Sequence, residues 1–109
     1  MKREVLTYNQ VEGFHQYPCP PAFCDYLGSR HRHIFVVKCR FPVSHNDREV
    51  EINDMQNKIE VFLHDQFGTP CEFHSLSCEA IANHLLNHFT NMSYCEVLED
   101  NYGGAALTR

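Results

Sequence analysis

No apolar stretch of this chain approaches the roughly 20 residues that a helix needs to cross a bilayer, so no membrane span is expected. Residues 1–5 carry a basic start, but neither an apolar segment nor a small-residue cleavage site follows. A cytoplasmic location is the expectation. Positive charge is also scarce. Nine Lys and Arg stand against fourteen Asp and Glu, for a net charge of −5, and no basic cluster marks a phosphate-tracking face. Nucleic-acid binding is therefore not expected. Repeats, low-complexity tracts and linkers are missing too, and 109 residues suffice for one modest core, which gives a single domain over 1–109. Finally, the six cysteines include no paired Cys-x-x-Cys knuckle. A zinc finger built from Cys19, Cys24, His31 and His33 fails on that spacing. Several cysteines fall inside predicted elements, Cys39 and Cys95 in strands and Cys78 at a helix start, which is the distribution of reduced, buried thiols.

The β-formers Val5, Thr7, Val11 and Phe14 predict a first strand over 4–15. Pro18, Pro20, Pro21, Gly28 and Ser29 predict a loop over 17–29. A second strand covers 31–41 and is ended by Pro42, with a polar turn over 43–51. Met55, Ile59, Phe62 and Leu63 share one face of a helix over 53–67, capped by Asn53 or Asp54 and stopped by Gly68 and Pro70. A second helix begins near Ser77 and runs to about Phe89, with Ile81, Ala82, Leu85, Leu86 and Phe89 as its apolar stripe. Strands over 94–99 and 104–108 flank the turn formers Asp100-Asn101-Tyr102-Gly103. The order β-β-α-α-β-β predicts an α+β fold, a four-stranded antiparallel sheet with both helices on one face. So small a sheet leaves its edges and its other face uncovered, and assembly of several copies would cover both.

The chemistry is concentrated around His31-Arg32-His33. Residues i and i+2 of a strand share a face, so His31 and His33 present adjacent imidazoles. His15, at the end of the first strand, can supply a third, and three histidines with one open position form the usual catalytic zinc arrangement. Cys24 lies between these histidines in sequence, where a nearby cation would lower a thiol's pKa. Other features read blandly. Arg30, Arg32, Lys38 and Arg40 gather near this strand and could meet a small anion, but a solvated strand face accounts for them. His84 and His88 are spaced i, i+4 on the second helix and read as solvent-facing. Cys19 is rigid loop, and Cys39, Cys71 and Cys95 are packing or loop thiols.

This order of elements and residues resembles the 6-pyruvoyltetrahydropterin and 6-carboxytetrahydropterin synthases of the tunnelling-fold (T-fold) superfamily, over nearly the whole chain. His15 and the His31-Arg32-His33 triplet match the family's zinc ligands, with Arg32 at the family's glycine. Cys24-Asp25-Tyr26-Leu27 matches the Cys-x-x-Leu that carries the catalytic thiol, with Gly28-Ser29-Arg30 inserted before the histidines. Ser77-Cys78-Glu79 resembles the segment whose backbone and small side chains face the pterin, and Val97-Leu98-Glu99 the motif whose carboxylate grips the ring. One carboxylate can accept two parallel N–H bonds from a pterin's 2-amino and ring N–H groups. The family's Asp-His pair has no clean counterpart; His64, in a reversed His-Asp, and His74 are the nearest.

The resemblance implies a zinc-dependent lyase acting on 7,8-dihydroneopterin triphosphate to give a 6-carboxy or 6-pyruvoyl tetrahydropterin with triphosphate elimination. Zn2+ would be held by His15, His31 and His33. Cys24 would take a proton from the substrate side chain, and His64 or His74 would return one. Ser77, Cys78, Glu79 and Glu99 would bind the pterin, and Arg30 or Arg32 would steer the triphosphate. The family assembles as trimers, closing a barrel, paired into hexamers, and serves queuosine-type deazapurine, biopterin and folate pathways. The alternatives are a dihydropterin aldolase-like enzyme on the same scaffold and a non-catalytic zinc- or pterin-binding module.

Overall fold

In the computed structural model, which describes residues 1–109, the chain folds as β1 (Arg3–His15), a 3-10 helix (Ala22–Gly28), β2 (His31–Val43), α1 (Ile52–Phe67), β3 (Cys71–His74), α2 (Cys78–His88), β4 (Tyr94–Glu99) and β5 (Gly103–Thr108). β1 and β2 pair antiparallel in unbroken register from Arg3↔Val43 to His15↔His31. Thirteen residues at about 3.3 Å each span roughly 43 Å, which accounts for a longest dimension of 50 Å.

The sheet has five strands, in the order β3-β1-β2-β4-β5, and it is mixed rather than antiparallel. This corrects the expected four-stranded sheet. β3 lies parallel to β1, pairing Gly13↔Cys71 and Phe14↔Glu72. Four residues between two helices carry too little pattern to announce a strand, but Cys71 and Phe73 alternate into the core with Glu72 and His74 outside it. Gly13 makes this approach possible, since a Cβ there would stand 2.6 Å from the Phe73 ring. Within one chain the sheet is open, its edges β3 and β5, and not a closed barrel.

Three local expectations also change. The segment read as loop contains the 3-10 helix, kinked at Cys24 (φ −135°). β2 continues through Pro42 to Val43. The Arg40 carbonyl accepts from Ser93 N on the β4 side, and Pro42, two residues on, turns its donor-less nitrogen the same way, past the end of β4. The α1 cap is Glu51, not Asn53 or Asp54, because its longer carboxylate reaches back to accept from Asp54 N at 2.7 Å.

Both helices pack on one sheet face, as the alternation predicts. Val11, Phe35, Val37, Cys39, Phe41, Cys95 and Val97 point from the strands into one core with Met55, Ile59 and Leu63 of α1 and Ile81, Ala82, Leu85 and Leu86 of α2. Cys39 and Cys95 oppose one another across β2 and β4 as free thiols, Sγ to Sγ 3.7 Å. No helix is long and apolar enough to cross a membrane.

Candidate metal centre

The register of β1 on β2 places His15 directly opposite His31, and Gly13 opposite His33. All three imidazoles therefore rise from the core side of the sheet at one end, their ring centroids 4.6–5.2 Å apart. Phe35, fully buried, meets His15 and His33 edge to face and forms the floor beneath them. One ligand atom from each histidine lies within 4.8 Å of the others.

What orients the rings is more telling than their proximity. His15 Nδ1–H donates to the Leu76 carbonyl at 3.1 Å, and His31 Nδ1–H to the Ser29 carbonyl at 2.8 Å. His33 Nδ1–H donates to Asp100 Oδ2 at 2.6 Å. Carbonyl and carboxylate oxygens only accept, so each partner requires the proton on Nδ1, and in the neutral ring Nε2 is then the lone pair on offer. The Nε2 atoms of His15 and His33 are buried without a hydrogen-bond partner. Such orphaned acceptors, each backed by an outer carbonyl or carboxylate, are the usual setting of metal-bound imidazoles.

Asp100 owes its position to the β4–β5 turn. Asp100 and Asn101 are consecutive left-handed residues (φ 53° and 60°), and Tyr102 N closes the turn on the Glu99 carbonyl at 2.9 Å. Asp100 Oδ1 accepts from Ile34 N at 2.8 Å, which anchors the carboxylate while Oδ2 holds His33. His33 keeps the Asp100 carboxyl below its ordinary range. Asp100 reads in sequence only as a turn former. The signal that finds it is the need of a ligating histidine for an outer acceptor, together with the left-handed tolerance of Asp.

Beside the triad opens a cavity of about 820 Å³, lined by His15, His31, His33, Glu99, Asp100 and the start of α2. Ser77 caps α2, its hydroxyl accepting from Ala80 N at 3.2 Å, and Ser77, Cys78 and Glu79 all line the cavity. Glu99 reaches it from the end of β4. Its Oε1 lies 3.1 Å from His15 Nε2 and its Oε2 3.6 Å from His33 Nε2. The Cys78 thiol donates to Oε1 at 3.8 Å; burial, and then Glu99, push that thiol up to about 12. Burial pulls the His15 pKa down, but the adjacent Glu99 carboxylate and the Leu76 carbonyl outweigh it and leave it above its ordinary 6.5. Glu99 is held below its own ordinary value, chiefly by His15.

No family model and no curated protein matches this sequence.

The other expected catalytic groups do not join this constellation. Cys24 is buried within the 3-10 helix and does not line the cavity; the inserted Gly28-Ser29-Arg30 separates it from His31. The thiol that does face the cavity is Cys78. His64 sits in the last turn of α1, its carbonyl accepting from Gly68 N, and His74 is exposed at the end of β3 with φ 55°; neither lines the cavity. Arg30 is spent on Glu72 (2.6 Å) and on the Phe14 ring, and Arg32 pairs with Glu12 on the opposite sheet face, so neither guards the mouth. No Lys or Arg lines the cavity, whereas Glu79, Glu99 and Asp100 do.

Proposed function

We propose that this chain is a zinc-dependent lyase of the tetrahydropterin synthase type, acting in the cytoplasm on the side chain of 7,8-dihydroneopterin triphosphate. One observation carries the reading: three imidazoles, each with Nδ1 pinned by an acceptor, bring one ligand atom apiece within 4.8 Å of one another beside a pocket that also holds Glu99. His15, His31 and His33 would hold the metal, which when bound supplies Lewis acidity toward the substrate's side-chain oxygens. Glu99 accepts the 2-amino and ring N–H groups of the pterin and fixes its orientation. The start of α2 adds the Cys78 and Glu79 side chains along the pocket, and the Phe35 floor keeps water from beneath the imidazoles.

The proton-transfer groups come from elsewhere. Cys24, His64 and His74 stand outside the cavity of one chain, and assembly as trimers paired into hexamers would let a second copy complete each site. A second reading is favoured by the charge of the pocket. With three carboxylates and no cation lining it, the pocket suits an uncharged dihydropterin side chain better than a triphosphate, as in an aldolase-like cleavage, or a module that binds without turnover.

The deciding experiment incubates zinc-loaded protein with 7,8-dihydroneopterin triphosphate and, separately, with 7,8-dihydroneopterin, following products by mass spectrometry. His31→Ala, Cys24→Ala and Cys78→Ala run beside the parent protein. Triphosphate release abolished by His31→Ala supports the synthase reading. Cleavage of the dephosphorylated substrate alone supports the aldolase-like one. Bound metal with neither reaction rejects both enzymes and leaves the binding module.

A further inference from the structure

We propose that Glu99 is a fourth ligand of the metal in the substrate-free protein, and that it must release the metal to grip a pterin. The inference rests on the metal reading of the histidine triad and concerns what closes the triad's open position.

Both carboxylate oxygens of Glu99 are committed in this structure. Oε1 stands 3.1 Å from His15 Nε2 and Oε2 stands 3.6 Å from His33 Nε2. Donor atoms bound tetrahedrally to zinc at about 2.0–2.2 Å stand roughly 3.3 Å from one another, so Glu99 already has ligand-to-ligand spacing along one edge of the triad. His15 Nε2 and His33 Nε2 are buried and have no hydrogen-bond partner while the rings are neutral, so these are the two ring atoms left for a metal beside Glu99. The Nδ1 atoms of both rings are protonated toward Leu76 and Asp100, so a carboxylate faces two imidazole lone pairs. A cation relieves the repulsion among these groups, either a proton on His15 Nε2 or a metal ion, and only a metal serves the carboxylate and both rings at once. The Cys78 thiol, donating to Oε1, holds the carboxylate at that edge.

Recognition of a pterin's paired N–H groups needs both oxygens of one carboxylate. Glu99 therefore cannot serve metal and heterocycle together. The substrate-free centre is closed by His15, His31, His33 and Glu99, and pterin binding draws Glu99 away and opens a metal position beside the substrate side chain. The device keeps the metal shielded until a pterin is in place.

The test replaces zinc with Co2+ and follows its visible spectrum with azide as a probe of an open position, for the parent protein and Glu99→Gln, alongside zinc affinity by competition with a chromophoric chelator. In the parent, azide should leave the cobalt spectrum unchanged until 7,8-dihydroneopterin is added. Glu99→Gln should take azide without pterin and bind zinc about tenfold or more weakly, since losing a direct ligand costs no less than losing an outer partner. Azide binding to the pterin-free parent overturns the proposal, as does an unchanged zinc affinity in Glu99→Gln, and both leave the triad standing. Failure of the parent to bind cobalt or zinc at all overturns the metal reading and this proposal with it. The azide response of the parent decides the matter even if the variant does not fold.

Discussion

Replacing Asp100 with Asn tests whether the second layer of the site, rather than the histidines alone, makes it a metal centre. The substitution keeps size and shape, and Asn tolerates the left-handed backbone (φ 53°), so the β4–β5 turn should survive. What changes is donor logic. Asp100 accepts twice, from Ile34 N at 2.8 Å and from His33 Nδ1 at 2.6 Å. An amide has one acceptor oxygen. If that oxygen serves Ile34 N, the amide NH2 confronts His33 Nδ1 and drives the ring proton to Nε2, where it blocks the metal. If the amide flips, NH2 confronts the Ile34 N–H instead. Asp100 is half exposed, so water offsets part of either conflict, and the cost falls toward or below the low end of the about 1–3 kcal/mol of an unsatisfied buried group. Zinc affinity should therefore fall by up to roughly tenfold. Chelator competition measures the affinity, and the long-range nitrogen–proton correlations of the His33 ring report its tautomer. Affinity within twofold of the parent, with the tautomer unchanged, would refute the argument that Asp100 sets the ligand.

The metal-free protein should show a stability optimum in pH. The raised His15 pKa contributes stability fully below the ordinary 6.5 and loses it as pH climbs through the folded-state value, while the lowered Glu99 pKa contributes above 4.5 and loses it as pH falls through the folded-state value. The pair is thus most stabilising between about 4.5 and 6.5; thermal midpoints should peak there, and the peak should flatten in Glu99→Gln. Gly104→Ala should abolish the β4–β5 hairpin, because the new Cβ would lie 1.9 Å from the Val97 carbonyl oxygen, which backbone cannot yield; loss of amide protection at Val97 and Glu99, whose N–H groups face β5, is the hydrogen-exchange readout, and a parent-like pattern would contradict it. Ile59→Ala, at a fully buried position of α1, should cost about 2–5 kcal/mol by denaturant titration, and less than about 1 kcal/mol would mean that α1 is not packed as described.

The sequence alone determined the long elements and the pairing of His31 with His33 on one face. Period-two alternation over β1 and β2 and period-3.6 stripes over α1 and α2 are long enough for burial to impose them, and i, i+2 spacing on a strand forces His31 and His33 onto one face whatever surrounds them. His15 reads in sequence as a candidate third ligand, and the unbroken register of β1 on β2 is what sets it opposite His31. Local chemistry determined the helix start near Ser77 and the 100–103 turn. Only the tertiary structure decided the rest. β3 has four residues and exists because β1 offers it an edge and Gly13 offers it room. The place of a thiol depends on how a loop folds back, so a motif match carried Cys24 toward the metal while the chain buries it and brings Cys78 to the cavity instead. Asp100, Leu76 and Ser29 come from three separate segments to hold three ring nitrogens. A histidine's letter states that it can bind a metal; which nitrogen it offers is set by acceptors distant in sequence, and those meet it only in the folded chain.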